Sequence, residues 1–440
     1  LNKSLQPQPS NQPLIDENQE PITSQLFWTI WAIVAAFGTY FCMYGFRKPF
    51  TVASYSDTLL WGVSFKAILV SSQVMGYAVS KFIGIKVISE MTPRYRGLSL
   101  LLLIVVAEIA LVLFAVTPRP WNAIWLFMNG LPLGMVFGLV LGFLEGRRMT
   151  EALTAGLCCS FILADGVMKS VGSWLLKQGV VEDWMPCVAG AIFFLPLLCF
   201  LGMLVRVPPP SQLDCRERHE RTPLDGRTRR ELFYRYAGGL TAVVLLYLMI
   251  TILRSVRSDF QPELWRGLKV SSPPELFTQS EIPVALGVLC INGGFALIHD
   301  NRRAFFASLL LCGVGVLLLA VTLGLQALGQ ISPLAFMILL GLGLYVPYVA
   351  VHTSVFERFM AATRERGNIG FLMYVADSIG YIGYVGVMLA KNSLRIKGDF
   401  LDYFLQMCWV ITGLSFLAVG VAWYYFTMRH PILPNNPSKV

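Results

Sequence analysis

The chain has 440 residues, 55% of them hydrophobic and only 14% charged, against about 45–50% apolar and about 25% charged in ordinary soluble domains. The apolar residues fall in blocks of about twenty, the length that crosses about 30 Å of hydrocarbon. That excludes a soluble enzyme, a disordered chain, a disulfide-rich secreted domain and a membrane β-barrel, whose strands would alternate.

Residues 1–23, rich in Gln, Asn, Pro and Ser, cannot bury a core and read as a flexible cytoplasmic tail. Twelve candidate spans follow, over about 26–50, 63–88, 97–117, 121–144, 150–175, 184–206, 233–257, 281–299, 303–326, 332–356, 367–391 and 401–428. The second, fifth and eleventh are the weakest by hydropathy, since each holds ionisable or several small polar residues. The basic stretch 207–232 separates a six-helix bundle at 24–206 from a second at 233–428, and 429–440 forms a cytoplasmic tail. The expected fold is therefore an all-α membrane protein of twelve transmembrane helices in two six-helix bundles.

Most Lys and Arg fall in the loops that lie inside if both termini are cytoplasmic, among them Arg94, Arg96, Arg147, Arg148, Arg302 and Arg303. This bias orients the chain in a cell membrane, which we read as bacterial, and accounts for most of the net +9 without nucleic acid as a partner. Lys66, Arg257 and seven other cations are left to the outer loops. Of nine cysteines, eight lie in apolar blocks. No disulfide framework, metal-ligand spacing or cofactor motif is readable. No nucleophile–base pair is visible either, so an enzyme is not expected.

The two halves resemble each other. The fourth span starts near Gly130 and ends at Glu145, and the tenth starts near Gly341 and ends at Glu357. The next span carries Ala164-Asp165 in one half and Ala376-Asp377 in the other. Repeated halves are expected where a site lies between two bundles that rock alternately. Because one chain contains both halves, a monomer is expected to be the working unit.

Charges inside spans cost about 2.5–3.5 kcal/mol each on insertion scales, so each needs a reason. At 1.5 Å per residue, Arg47 lies about 24 Å above the interfacial Trp31, and Arg254 about 27 Å above Tyr236. Both either snorkel to the outer headgroups or face an interior cavity. Lys81 sits in the second span and Glu108 in the third. Asp165 and Lys169 are four apart on one face of the fifth, spaced as an ion pair. His352 lies in the tenth span, and Asp377 shares a face of the eleventh with Tyr381 and Tyr384. Each charge has an interhelical ion pair as its plain alternative. With Asp165 neutralising Lys169, Arg47, Lys81 and Arg254 outnumber Glu108 and Asp377, which favours a small anionic substrate. Substrate contacts are expected from Arg47, Lys81, Arg254, Asp165, Lys169 and Tyr381. Coupling or gating is expected from Asp377, Glu108, His352, Glu145 and Glu357. The glycines at 130, 134, 138, 142 and 146 are read as a helix-packing stripe.

At these residues the chain resembles the major facilitator superfamily, and within it the organophosphate:phosphate antiporters. The resemblance rests on Tyr44-Gly45-Phe46-Arg47-Lys48-Pro49-Phe50, on Gly76 to Ile83 followed by Thr92-Pro93-Arg94-Tyr95-Arg96, and on Ile252-Leu253-Arg254. It implies that Arg47 and Arg254 clasp a phosphate and that Lys81 lines the same cavity. Asp165 stands where that family has a histidine, and Pro49 where it has a polar residue. The implied function is alternating-access transport of a small organic anion, with a phosphate ester as the candidate. The alternatives are a proton-coupled symporter of sugars or peptides, with Asp165 or Glu108 titrating, and a transporter-like membrane sensor of phosphorylated metabolites.

Overall fold

The computed structural model describes residues 22–55, 59–60, 63–144, 150–208, 231, 233–271, 273–294, 298, 300–363, 369–393 and 399–429. The first half contains α1 (Ile22–Met43), α2 (Phe65–Glu90), α3 (Pro93–Val116), α4 (Ala123–Leu144), α5 (Thr150–Lys177) and α6 (Met185–Val205). The second contains α7 (Ala237–Asp259), α8 (Pro274–Gly294), α9 (Asn301–Ala327), α10 (Pro333–Thr363), α11 (Ile369–Ser393) and α12 (Phe400–Arg429). A short helix, Gln261–Gly267, follows α7.

Local chemistry sets the ends. Pro93 and Pro333 occupy first turns, where a missing N–H costs nothing, and the Asp300 carboxylate accepts from Arg303 N at 2.6 Å. α5 and α9 stop at Gly179 and Gly329, whose φ values of 87° and 67° suit only glycine without strain. Val180 N then reaches Leu175 O, and Gln330 N reaches Leu325 O, to close the last turns.

Among the described residues, ten helices are long and apolar enough to cross a membrane. α2 and α5 qualify at a mean hydropathy of 1.2. α8 does not, and α11 has only the shorter apolar stretch Val375–Ala390. The weak span missed in the sequence is therefore α8, which also begins at Pro274 and not near 281. Its charge explains both errors: Glu281 lies inside the helix, fully buried in an ion pair.

α3, α6, α9 and α12 form the rim, with Leu102, Val106, Leu195, Leu310, Val410 and Leu417 exposed. An apolar exterior of this kind is what hydrocarbon requires. These are the third and sixth helices of each half, so the halves place equivalent helices in equivalent positions. The other eight face inward. The seam between halves consists of α5 against α8 and α2 against α11, two contacts exchanged by the same internal repeat. α2 and α4 approach most closely through glycines. A Cβ at Gly130 would lie 2.1 Å from Gln73 O, and one at Gly76 2.2 Å from Phe127 O. The packing reading of the stripe fits Gly130, Gly134 and Gly142, which meet Gln73, Ser80 and Arg96; Gly146 lies outside the described residues.

Candidate functional site

The α1 helix breaks where its charges begin. Tyr44–Phe46 tighten to a 3₁₀ turn, and the N–H groups of Arg47 and Lys48 both donate to Tyr44 O, at 3.0 and 2.9 Å. The carbonyls freed by the break are met by side chains: Asn129 Nδ2 donates to Phe46 O and Gln73 Nε2 to Arg47 O, each at 3.2 Å. Gln73 and Asn129 also bond each other at 2.8 Å. Two buried amides from α2 and α4 thus fix the backbone that aims Arg47. Neither stood out in the sequence, because an amide in an apolar span has no charge to mark it.

Arg47 and Arg254 are both buried. Among the described residues, neither has a carboxylate within ion-pair distance. Each guanidinium instead lies over a tyrosine face: Arg47 is 4.1 Å from the Tyr77 centroid and Arg254 4.3 Å from that of Tyr348. Desolvated cation–π contacts supply about 2 kcal/mol, less than the several kcal/mol of burying an ion. Arg254 Nη2 also donates to Ser255 Oγ at 3.4 Å. Both arginines line one cavity. It adjoins a second, which shares Tyr44, Phe161, Arg254 and Tyr381 with the first.

Lys81 corrects the expected charge balance. It lines the second chamber, but its ammonium pairs with Asp377 at 2.9 Å, so among the described residues lining the two chambers the cations without a carboxylate partner are the two arginines. Asp377 also accepts a short hydrogen bond from Tyr247, whose hydroxyl lies 3.3 Å from His352 Nδ1. His352 stacks on Tyr247 and Tyr348. It sits in a π-helical turn, Val351–Val355, just after Pro347. That turn supplies the extra rotation which directs the imidazole into the chamber.

A second charged cluster closes the seam beyond the arginines, toward the α1–α2 and α7–α8 loops. Lys48 Nζ bonds Asp259 at 2.5 Å and Ser258 at 2.7 Å, and lies 3.2 Å from Asp165. Asp165 pairs with Lys169 at 2.5 Å as the spacing predicted, and also accepts from Ser258 at 2.8 Å. Lys169 continues to Gln261 at 2.9 Å, and Gln261 to Glu281 at 3.2 Å. Glu281 pairs with Arg257 at 2.9 Å, and Tyr384 donates to Asp259 at 2.9 Å. Three cations and three carboxylates balance, which is how so many charges remain buried. Lys66 bonds Glu263 at 2.6 Å nearby. Lys66 and Arg257, assigned to outer loops from the sequence, are therefore buried members of ion pairs.

Of the remaining expectations, Tyr381 lines both chambers and packs on Tyr77 at 5.2 Å. Asp165 borders the first chamber, whereas Lys169 lies behind it in the seam cluster. Glu108 is placed away from the cavity, between α3 and α6, with Cys187 Sγ 3.5 Å from it. Glu357 belongs to the far turn of α10 and lines neither chamber. Glu145 falls outside the described residues.

A family model described as "Family of unknown function (DUF5690)" matches residues 49–429. No curated protein matches the sequence. Among solved structures, similar ones include a proton:xylose symporter, XylE, bound to 6-bromo-6-deoxy-D-glucose, with a TM-score of 0.63, 15% identity, and coverage of 92% of this chain and 96% of that one. Another D-xylose–proton symporter structure gives 0.59 at 15% identity, covering 90% and 97%. The human organic anion transporter MFSD10 (TETRAN) gives 0.57 at 15%, covering 92% and 100%. The chain has the fold of the major facilitator superfamily and is an integral, multi-pass membrane protein.

Proposed function

We propose that this chain, which belongs to the DUF5690 family of unknown function, is a secondary transporter that moves a small organic anion by alternating access. The observation that carries the reading is the pair of buried guanidiniums, one from the first helix of each half, facing one cavity without carboxylate partners. An anion between them would neutralise two desolvated charges and join the two halves at once. The rigid donor fork of arginine suits bidentate capture of a carboxylate or phosphate.

In this reading, Arg47, Arg254 and Tyr381 hold the substrate, and Lys81–Asp377 reports its arrival, because that pair also bridges the halves across α2 and α11. The Lys48–Asp165–Asp259 cluster is the gate at the far end. Both termini lie in the cytoplasm of a bacterial cell. Removing Lys66 and Arg257 from the outer-loop tally strengthens the charge bias behind that orientation.

A second reading, proton-coupled uptake of a neutral solute such as a sugar, draws on Asp377, a carboxylate in the chamber wall beside His352. The two are separated in proteoliposomes loaded with purified protein and offered labelled carboxylates, phosphate monoesters and xylose. An anion should be taken up, and Arg47→Lys and Arg254→Lys should reduce uptake to the protein-free level while the variants still elute as folded protein. Full uptake in both variants, or uptake of xylose alone, overturns the anion reading.

A further inference from the structure

The arginines speak to the charged head of a substrate; the walls speak to its body. Every described residue lining the second chamber is either a ring or a charge: eight ring side chains, with Lys81, Arg254 and Asp377 as the remainder. Phe137 and Phe161 present faces with no polar atom, and Tyr77, Tyr348 and Tyr381 stand beside them. Among the described residues, no Ser, Thr, Asn or Gln side chain lines this chamber, and Ser255 alone lines the first.

The carboxylates near the cavity are already engaged. Asp377 takes Lys81 and Tyr247, Asp259 takes Lys48 and Tyr384, and Asp165 takes Lys169, Lys48 and Ser258. A polyol entering here would find those carboxylates occupied and, among the described residues, would depend on the tyrosine hydroxyls, His352 and Ser255 for its partners. Each unsatisfied donor costs about 1–3 kcal/mol. A flat ring would lose nothing of that kind and would gain offset or edge contacts with the walls.

Resting on the anion reading above, we infer that the substrate carries its carboxylate or phosphate on an aromatic body and is not a sugar phosphate or other polyol. The charged head occupies the first chamber, between Arg47 and Arg254. The ring enters the second, against Phe137, Phe161 and Tyr348. Phe161 lines both chambers and packs 6.0 Å from Tyr348, centroid to centroid, so it borders the ring's path.

The test compares ligands that share a head group and differ in body. Titration calorimetry on the purified full-length protein would use phenyl phosphate against glycerol 3-phosphate, and benzoate against gluconate. The expected result is at least tenfold tighter binding of the aromatic member of each pair. Phe161→Leu should shrink that ratio by about 2- to 10-fold, the worth of one aromatic contact. Equal or tighter binding of the polyol members by the wild-type protein overturns the inference and leaves the anion reading standing. Failure of all four to bind overturns the anion reading, and this inference with it. An unchanged ratio in Phe161→Leu refutes the placement of the ring.

Discussion

Lys48 offers the sharpest test of how the seam is held. It extends from the end of α1 and donates across the seam to Asp259 and Ser258 on α7, at 2.5 and 2.7 Å. Its contact with Asp165 stays within the first half. Replacing it with Met keeps most of the stem and deletes two cross-seam bonds, while Asp165 retains Lys169 and Asp259 retains Tyr384. Hydrogen bonds to charged groups contribute about 1.5–3 kcal/mol each in the net. Residual partners and entering water return part of this, so the closed seam should lose about 2 kcal/mol. Since 1.4 kcal/mol is tenfold, the open fraction should rise by about 30-fold.

Ser170 on α5 provides the reporter. Its hydroxyl bonds Thr278 on α8 at 2.6 Å, across the same seam. In a background with Cys199, Cys290 and Cys215 changed to Ser, Ser170→Cys, half-buried at the seam, would be labelled faster by a membrane-impermeant maleimide when the seam parts. Adding Lys48→Met should accelerate labelling by about 10- to 100-fold, the range that 1.4–2.8 kcal/mol allows. An unchanged rate would refute the argument that these bonds hold the two halves together at this end.

Two further outcomes follow from the packing. Gly130→Ala would drive a methyl to 2.1 Å from the Gln73 carbonyl, a backbone atom that cannot turn aside. It should cost at least the 1–3 kcal/mol typical of overpacking, seen as a lower melting temperature and loss of the monodisperse elution peak. Gly386→Ala, with nothing within 4 Å, should leave both unchanged. Lys81→Met strands the buried Asp377 and should lower thermal stability sharply, in line with the roughly 3–5 kcal/mol lost when one member of a buried pair is removed. Adding Asp377→Asn should restore much of that loss, and the absence of any rescue would show that the pair does not act as a unit.

Composition and spacing set the environment and the architecture. Blocks of about twenty apolar residues admit one solution in hydrocarbon, because a bilayer gives unpaired backbone groups no partner. Repeated landmarks such as Asp165 and Asp377 exposed the two halves. Arg47, Arg254 and Lys81 could be singled out as costly charges, and Asp165–Lys169 as a pair, since helical spacing alone brings residues four apart together.

What spacing cannot give is the partner on another helix. The packing of helix on helix is what pairs Lys81 with Asp377, turns Glu108 to α6 and not the cavity, and makes Arg257 and Lys66 members of buried pairs and not loop charges. Gln73 and Asn129 were invisible for the same reason: their role depends on carbonyls that exist only because α1 breaks at Tyr44. The sign of the cavity follows from subtraction. Each ion pair formed across helices removes a cation and an anion together, and what remains among the described residues, Arg47 and Arg254 on two adjoining chambers, emerges only once every partner is in place.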